Sequence, residues 1–333
     1  MTTSGDDDIY IDDIEFPYNK DEYKIPSYNI PSPKRIYNEV SKTVIGQHEA
    51  KQALSIVAYN HLLRYKRNAV AKHLALPPRL TLFIMGPTGT GKSIMCQSLC
   101  EYLQLPYFQI DATQLCSPGN SGDDIIDKLK TYYTTNRHND NYNYGVIYID
   151  EMDKLFTHDL NSGSHNDGYY SSLVYSLLTA IDGTHNEIYG LDTSKLLFIF
   201  SGAFEYATKS KGNKANAIGF KSDLASKCKN TTLTREDIEE NSGIPRELLA
   251  RINVITQTFP LEREEIKEIL LNCHNAIVPQ FEASFLLSGS KLELTDKELE
   301  LIIEKVYGSK YGMRHNKTII FEYLKDKMFD LEG

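Results

Sequence analysis

The sequence predicts an α/β fold in which helices flank a parallel sheet, followed by a small, mostly helical C-terminal domain. The apolar runs at 82–85, 146–149 and 196–200 are typical of strands buried on both faces of a parallel sheet. The segments between these runs repeat apolar residues at helical spacing. Beyond Pro260 the chain shows three further helical stripes. Its 333 residues suffice for two domains, each with a core of its own.

The N-terminal 33 residues differ in composition from the rest of the chain. Residues 1–33 begin with clustered acidic side chains and carry prolines towards their end. This pattern predicts an arm with little structure of its own, and a solvated tail is favoured over a docking segment. The apolar spacing over 49–66 predicts a helix, which belongs to a large domain expected over 34–259. The small domain is expected over 260–333, because Pro260 interrupts the chain.

Composition and charge narrow the class of protein. Hydrophobic residues make up 41% of the chain, and no apolar run approaches the roughly 18 residues that span a membrane. The acidic N-terminus does not predict a signal peptide. The five cysteines form no Cys-x-x-Cys pair, so we expect neither a zinc cage nor a disulfide framework, and we expect a cytoplasmic, reducing location. A formal net charge of −9 argues against a large nucleic-acid-binding surface but leaves a local basic groove open.

A glycine-rich segment follows the first apolar run and opens a helix. Its residues are Gly86, Pro87, Thr88, Gly89, Thr90, Gly91, Lys92 and Ser93, with Ile94 beginning the apolar stripe of the helix. Strand, glycine loop and helix in this order are the context that a phosphate-binding loop requires. Glycines let backbone N–H groups surround phosphates, Lys92 adds a mobile charge, and the Ser93 hydroxyl can ligate Mg²⁺. The alternative is a glycine-rich turn that binds nothing.

Two carboxylates end the second apolar run. Asp150 and Glu151 follow the strand pattern at 146–149 directly, at the end of a parallel strand where ligands bind. Asp150 can hold Mg²⁺, usually through water, and Glu151 can deprotonate an attacking water. A helix-capping pair is the alternative for these two residues alone. Together with the phosphate loop upstream, they predict hydrolysis of a nucleoside triphosphate.

The middle of the chain holds weaker signals. A loop is predicted at 117–122, a helix at 169–181, and Ser201 ends the strand that begins at 196. Residues 205–234 are rich in Lys, Asn and Ser and lack periodicity, which in a compact domain is typical of a functional or disordered segment. A short helix is predicted at 245–251, followed by an apolar stretch.

With these landmarks, the sequence from about residue 44 to residue 331 resembles the AAA+ ATPases, whose fold is that of the P-loop NTPases, and within them the ClpX-type protein unfoldases. The likeness is specific beyond the glycine loop. The matching segments are 44–47, 50–51, 58–61, 145–154, 201–204, 244–251 and 311–314.

The resemblance implies roles for residues outside the two motifs. Val44 and Ile45 would lie on the adenine side of the nucleotide, and Ser201 would be a sensor of the phosphates. Arg251 would be the arginine finger that reaches the γ-phosphate in the next subunit, and Arg314 would contact the nucleotide of its own subunit. ATP and Mg²⁺ are the implied cofactors, and a homo-hexameric ring is the implied assembly.

Two departures from the family pattern bear on function. The pore loop of the family carries an aromatic residue, whereas the matching place here holds Asn120 and Ser121 between glycines. Tyr169 and Tyr170 lie where the second pore loop would end, and we expect either that they contact substrate or that they are core residues at a helix start. The N-terminal zinc-binding domain of the family has no counterpart in this sequence, so the choice of substrate or adaptor is expected to differ.

One tripeptide points to a partner. Ile218, Gly219 and Phe220 match the residues with which ClpX-type rings dock on the ClpP peptidase, and they lie in the corresponding segment. The resemblance therefore implies a ClpP-like peptidase as a partner.

Three functions follow from these patterns. The favoured one is an ATP-dependent motor, hexameric, that unfolds or translocates protein substrates. A nucleotide-gated scaffold or assembly factor that threads no chain is the alternative that the missing pore aromatic favours. A motor on nucleic acid is a third, against which the acidic balance counts.

Overall fold

A five-stranded sheet organises the chain before Pro260. The computed structural model describes residues 30–116, 123–139, 141–157, 167–183, 185–186, 191–204, 232–309 and 311–329. The strands of the sheet are β1 Leu82–Met85, β2 Tyr107–Asp111, β3 Val146–Asp150, β6 Leu197–Gly202 and β7 Val254–Gln257, and a separate hairpin pairs β4 His185–Asn186 with β5 Leu191–Asp192. The sheet order is β2-β3-β6-β1-β7, and every neighbouring pair is parallel. The predicted parallel α/β fold is therefore confirmed.

The register of the strands aligns their carboxyl ends. Met85 lies opposite both Gly202 and Gln257, and Asp111 lies opposite Asp150. The glycine loop after β1 and the carboxylates that end β3 therefore meet at one edge of the sheet. In open α/β sheets this is the edge at which ligands bind.

Helices cover the sheet and make up the C-terminal region. In chain order they are α1 Pro33–Ser41, α2 His48–Val70, α3 Lys92–Leu103, α4 Ile125–Asn136, α5 Met152–Thr157, α6 Asp167–Asp182, α7 Arg235–Asn241, α8 Arg246–Leu249, α9 Arg263–Leu271, α10 Ile277–Leu287, α11 Asp296–Tyr307 and α12 Asn316–Phe329. The helices predicted from apolar spacing are confirmed, although α1 begins at Pro33, capped by Ser32, one residue inside the predicted arm. Helices α5, α7 and α10, strand β7 and the hairpin of β4 and β5 add to what the sequence pattern predicted.

Alternate residues of the strands build a core on each face of the sheet. Phe83, Ile147 and Phe198 point to the face covered by α4, α6 and α8. Leu82 and Ile84, with Tyr148 and Ile199, point to the opposite face, which α1, α2 and α3 cover. Because β1, β3 and β6 are buried on both faces, they are mostly apolar, and this is why their sequence signal is strong.

The C-terminal helices have a third core of their own. Residues of α9 to α12 pack together around Leu270, Ile302 and Ile320, all fully buried. The division of the chain at Pro260 stays a prediction. Most of the predicted N-terminal arm, residues 1–29, lies outside the described residues. Within the described part of the chain, no helix is long and apolar enough to cross a membrane.

A buried histidine links the helical layer to β3. His61 is only 5% exposed, and its Nε2 lies 2.7 Å from the carbonyl oxygen of Tyr144. A carbonyl only accepts, so Nε2 carries a proton and donates it to Tyr144. Burial, the largest cause, together with the charges of Arg64 and Arg79, lowers the pKa of His61 from 6.5 to about 4 against the raising effect of the hydrogen bond, so the ring is neutral at pH 7.

His61 makes stability depend on pH. Between pH 6.5 and pH 4 the unfolded chain binds the His61 proton and the folded chain does not. The contribution of His61 is therefore complete above its unfolded pKa and is lost as the pH falls, by about 2–3 kcal/mol between pH 7 and pH 4.5. Urea unfolding at both pH values checks this: His61→Gln should lose less stability on acidification than the wild type. His138 is exposed, and His138→Gln is the matched control. Its unfolding free energy should fall on acidification by as much as that of the wild type. An equally large fall in His61→Gln would contradict the role of His61.

Candidate active site

The glycine loop turns sharply at the carboxyl end of β1. Gly86, Gly89 and Gly91 have φ of 142°, 82° and 92°, a region that side-chain-bearing residues rarely adopt. Space is also restricted, since a Cβ on Gly86 would lie 2.3 Å from the backbone oxygen of Thr258. A Cβ on Gly89 would lie 2.9 Å from the carbonyl oxygen of Tyr311. The loop is thus held between β7 and the segment before α12.

Helix α3 starts at this loop with its N-terminus towards the site. Gly91 is its N-cap and supplies no side-chain hydrogen bond. The first N–H groups of a helix have no partner within the helix, and the dipole of the helix favours an anion there. The loop and the start of the 12-residue helix therefore form a surface suited to phosphate.

Lys92 lies inside the loop. Its Nζ donates to the carbonyl oxygens of Gly86, at 2.6 Å, and Pro87, at 2.8 Å. Burial lowers the pKa of Lys92 to about 8, an effect that the negative charge of Asp150 opposes. The ammonium group is thus desolvated, and within the described part of the chain it donates to carbonyl oxygens of the loop. Phosphate oxygens would supply a negatively charged partner.

Replacing Lys92 with Ala should abolish most nucleotide affinity. A charge-assisted hydrogen bond contributes about 1.5–3 kcal/mol, so we expect ATP to bind about 10- to 100-fold more weakly. Equilibrium titration with a fluorescent ATP analogue measures this directly. Lys154→Ala, which removes an exposed cation at the start of α5, is the matched control and should bind within about threefold of the wild type. Equal affinity in Lys92→Ala and the wild type would contradict the role.

Asp150 and Glu151 differ in environment although they are adjacent. Asp150 is buried, and its Oδ1 accepts from the Ser201 hydroxyl and from the Glu151 N–H, at 3.0 Å. Glu151 has φ of 59°, a strained backbone for a residue with a side chain. Its Oε2 accepts from Lys154 Nζ at 2.5 Å. Asp150 is therefore fixed, whereas Glu151 is half-exposed and held by a partner that can move away.

Arg314 reaches the loop from the C-terminal helices. It lies in a 3₁₀ turn, Gly312–His315, directly before α12. The turn packs on the glycine loop so closely that a Cβ on Gly312 would lie 3.1 Å from the carbonyl oxygen of Thr88. The positive charge of Arg314 acts on Lys92 and contributes to the lowered pKa of Lys92. Arg314 is thus close enough to contact phosphates bound by the loop.

A cavity of about 490 Å³ is lined by residues of the glycine loop and by Arg314, whereas Asp150 and Glu151 are not among its lining residues. Its walls come from the loop and α3, from the segment before α2, and from the C-terminal helices, with these predicted site residues among them: Val44, Ile45, Gly89, Thr90, Gly91, Lys92, Ser93, Ile94 and Arg314. The volume lies within the range of small-molecule sites. The carbonyl oxygen of Val44 accepts from the buried Lys51 Nζ at 2.9 Å, which fixes the wall opposite the loop.

Arg251 lies apart from this cavity, on the surface. Its Nε and Nη2 donate to the two carboxylate oxygens of Asp182, each at 3.0 Å. The hydrogen bond to Asp182, and next the charge of Asp182, raise the pKa of Arg251. Of the predicted site residues that the structure describes in full, Arg251 is the one placed on a different surface. Its partner Asp182, the last residue of α6, had no signal in the sequence.

Some predicted site residues lie beyond the part of the chain that the structure describes. Asn120 and the tripeptide Ile218, Gly219 and Phe220 lie outside the described residues. Tyr169 and Tyr170 are in the first turns of α6, but their side chains lie outside the described part of the structure.

Two polar residues that shape the site were not predicted from the sequence. Thr258 touches both Gly86 and Thr90, its Oγ1 lying 2.7 Å from Thr90 Oγ1. Tyr148, in the middle of β3, reaches Ser201 Oγ at 2.7 Å with its hydroxyl. A tyrosine within an otherwise aliphatic buried strand was the available signal for Tyr148, whereas no pattern marks Thr258.

Comparison with known proteins agrees with this geometry. The sequence model of the AAA family, "ATPase family associated with various cellular activities", matches residues 82–206. The chain is 30% identical over 341 residues to the ATP-dependent Clp protease ATP-binding subunit ClpX of Borrelia duttonii, covering 94% of this chain and 78% of that protein. The same protein of Borrelia recurrentis gives the same values. The ClpX 2 subunit of Wolinella succinogenes is 29% identical over 318 residues, which cover 91% of this chain and 78% of that protein. The chain therefore belongs to the ClpX-type AAA ATPases and is an ATP-hydrolysing enzyme.

Proposed function

We propose that this ATPase is a ring-forming motor that unfolds or remodels other proteins, as the ATP-binding subunit of a Clp-type protease. The observation that carries the proposal is the separation of Arg251 from the cavity that contains Lys92 and Arg314. An arginine that stays charged and can grip phosphate oxygens in a fork is then exposed where a second copy can receive it. A ring of six copies would complete each site in this way.

The same contacts suggest how hydrolysis becomes motion. Arg314 and Gly312 connect the glycine loop to the C-terminal helices. Gln47, beside the nucleotide wall, pairs twice with the backbone of Phe259, donating at 2.7 Å and accepting at 2.9 Å. Loss of the outer phosphate would release Arg314 while the Gln47 contact stays as a hinge. The C-terminal helices would then rotate against the sheet, which is the movement that a motor needs.

Mg²⁺ fits the oxygens available at the site. Ser93 and Asp150 are connected through two buried hydroxyl groups, and the hydrogen bonds that the structure shows at Asp150 both end on Oδ1. A hydroxyl and a carboxylate are the oxygen ligands that Mg²⁺ takes in nucleotide sites. When bound there, the cation would neutralise charge on the phosphates. Ser93 and the second carboxylate oxygen of Asp150 would hold it.

Substrate and peptidase contacts are further parts of the proposal. Tyr169 and Tyr170 would press on the polypeptide in place of the missing pore aromatic. The tripeptide at 218–220 would dock on a peptidase, since an Ile and a Phe in a polar segment can anchor in apolar pockets. The ClpX relatives, named as subunits of a Clp protease, support this partner.

A threading assay tests the proposal. A folded fluorescent protein with an unstructured tag is mixed with the ATPase, and its fluorescence is followed with ATP and with a non-hydrolysable analogue. Loss of fluorescence that requires hydrolysis supports a motor. ATP hydrolysis that leaves a panel of tagged folded proteins intact contradicts threading and favours the nucleotide-gated scaffold.

A further inference from the structure

Buried hydroxyl groups connect Ser93 to Asp150 beneath the glycine loop. Tyr148 and Ser201 are both fully buried. The Tyr148 hydroxyl donates to Ser201 Oγ at 2.7 Å, and Ser201 Oγ donates to Asp150 Oδ1. The Tyr148 oxygen also lies 3.4 Å from Ser93 Oγ, a distance of weak contact. The four side chains come from β3, β6 and the start of α3.

The donors in this chain are fixed by chemistry. An ionised carboxylate only accepts, so the Ser201 proton is directed to Asp150. The Ser201 oxygen must then accept a hydrogen bond from the Tyr148 hydroxyl. That hydroxyl has only one proton, and this bond uses it. The Tyr148 oxygen is left with acceptor capacity only, and Ser93 is the hydroxyl beside it.

This polarity suits a serine that ligates a cation. A hydroxyl that gives its oxygen to a metal keeps its O–H as a donor, and that donor needs an acceptor. The Tyr148 oxygen can accept that O–H. Asp150, held at Oδ1 by Ser201, keeps Oδ2 for the cation or its water.

We propose that Tyr148 is a positioning residue for the magnesium site: through Ser201 it orients the Asp150 carboxylate, and with its own oxygen it orients the Ser93 hydroxyl. This inference rests on the assignment of Ser93 and Asp150 to Mg²⁺ in the proposed function. A phenylalanine would fill the same apolar space in β3, so the hydroxyl is explained by the polar contacts that it makes. Polar groups in such a position are destabilising unless they are hydrogen-bonded.

The test compares nucleotide binding with and without Mg²⁺. The affinity for a fluorescent non-hydrolysable ATP analogue is measured in EDTA and across a Mg²⁺ titration. In Tyr148→Phe we expect the Mg²⁺ concentration at the midpoint to rise about 10-fold, as for other residues that orient metal ligands. Affinity in EDTA should stay within about twofold, since Lys92 and the loop are unchanged.

Two further variants sharpen the comparison. Tyr107→Phe removes the hydroxyl of the neighbouring strand, which donates to Gln109 Oε1 at 3.2 Å, and should leave the midpoint unchanged. Ser201→Ala should raise the midpoint like Tyr148→Phe. The rise in the Mg²⁺ midpoint in the double variant should be smaller than the two single effects combined, because both substitutions interrupt the same series of hydrogen bonds.

The outcomes separate this inference from the proposed function. A midpoint in Tyr148→Phe equal to that of the wild type overturns the inference, as does an equal loss of affinity in EDTA and in Mg²⁺. Should Tyr148→Phe fail to fold, an unchanged midpoint in Ser201→Ala overturns it. A wild-type protein that binds the analogue equally with and without Mg²⁺ overturns the metal site itself, and the inference with it.

Discussion

Replacing Glu151 with Gln is expected to reduce ATP hydrolysis by about 10²–10⁴-fold, the contribution typical of a general base. ATP binding should stay within a few-fold of the wild type, because the side chain keeps its size and Lys92 still lies in the loop. The physical reason is the loss of the carboxylate that would deprotonate the attacking water. Initial rates of phosphate release at saturating ATP, with analogue binding in parallel, measure both quantities.

The environment of Glu151 makes this a specific test. Its backbone is strained at φ 59°, and its carboxylate faces Lys154 without being buried. Glu101→Gln is the matched control, because Glu101 lines the cavity from α3 and loses its charge by the same substitution. It should hydrolyse ATP within about threefold of the wild type. A Glu151→Gln variant that retains more than about a tenth of the wild-type rate would contradict the role of general base.

Local pattern was sufficient for the parts of the site that are contiguous in the chain. The glycine loop and the Asp150–Glu151 pair could be predicted because each follows a strand buried on both faces, whose apolar run is easy to recognise. The loop also requires glycine at positions with positive φ, so the spacing of these glycines can be recognised in the sequence.

Contacts between distant segments could not be predicted in the same way. Thr258 approaches Gly86 only because β7 pairs with β1, and nothing in either segment specifies that pairing. The bond from Tyr148 to Ser201 depends on the register of β3 against β6. Such contacts follow from the sheet order, which the sequence of a single strand does not contain.

Helix α10 shows a different limit. Phe285 is buried, but the next two residues, Leu286 and Leu287, are 66% and 90% exposed. Apolar residues therefore lie on more than one face of the helix, and no single stripe of helical period marks it. Pro279 in its first turn further weakens the pattern, although proline is tolerated there.

Replacing Arg251 with Ala is expected to reduce ATP hydrolysis by about 10³-fold or more, the typical effect of losing an arginine finger. Nucleotide binding to each subunit should remain, because Arg251 lies apart from the cavity and is bound to Asp182. Arg246→Ala, an exposed arginine at the start of α8, is the matched control and should keep its activity.

Mixing variants distinguishes a finger that acts in a neighbour from one that acts in its own subunit. Arg251→Ala subunits keep an intact Glu151, and Glu151→Gln subunits keep an intact Arg251. In a ring assembled at random from equal amounts, about one interface in four would combine an intact Glu151 with an intact Arg251. We therefore expect two nearly inactive preparations to recover hydrolysis when mixed, to about a quarter of the wild-type rate if the interfaces act independently.

The recovered activity depends on subunit exchange, because Arg251 must act on a site in a neighbouring subunit. In the single chain its guanidinium is paired with Asp182, so it must leave that carboxylate to grip a phosphate in the next copy. Dilution below the concentration at which rings assemble should remove the recovered activity, because association is then lost by mass action. If the mixture stays inactive while size measurements show mixed rings, or if a strictly monomeric preparation hydrolyses ATP at the full rate, Arg251 does not act in trans. The active site would then be complete within one chain, and the separation of Arg251 from the cavity would need a movement within the subunit to close it.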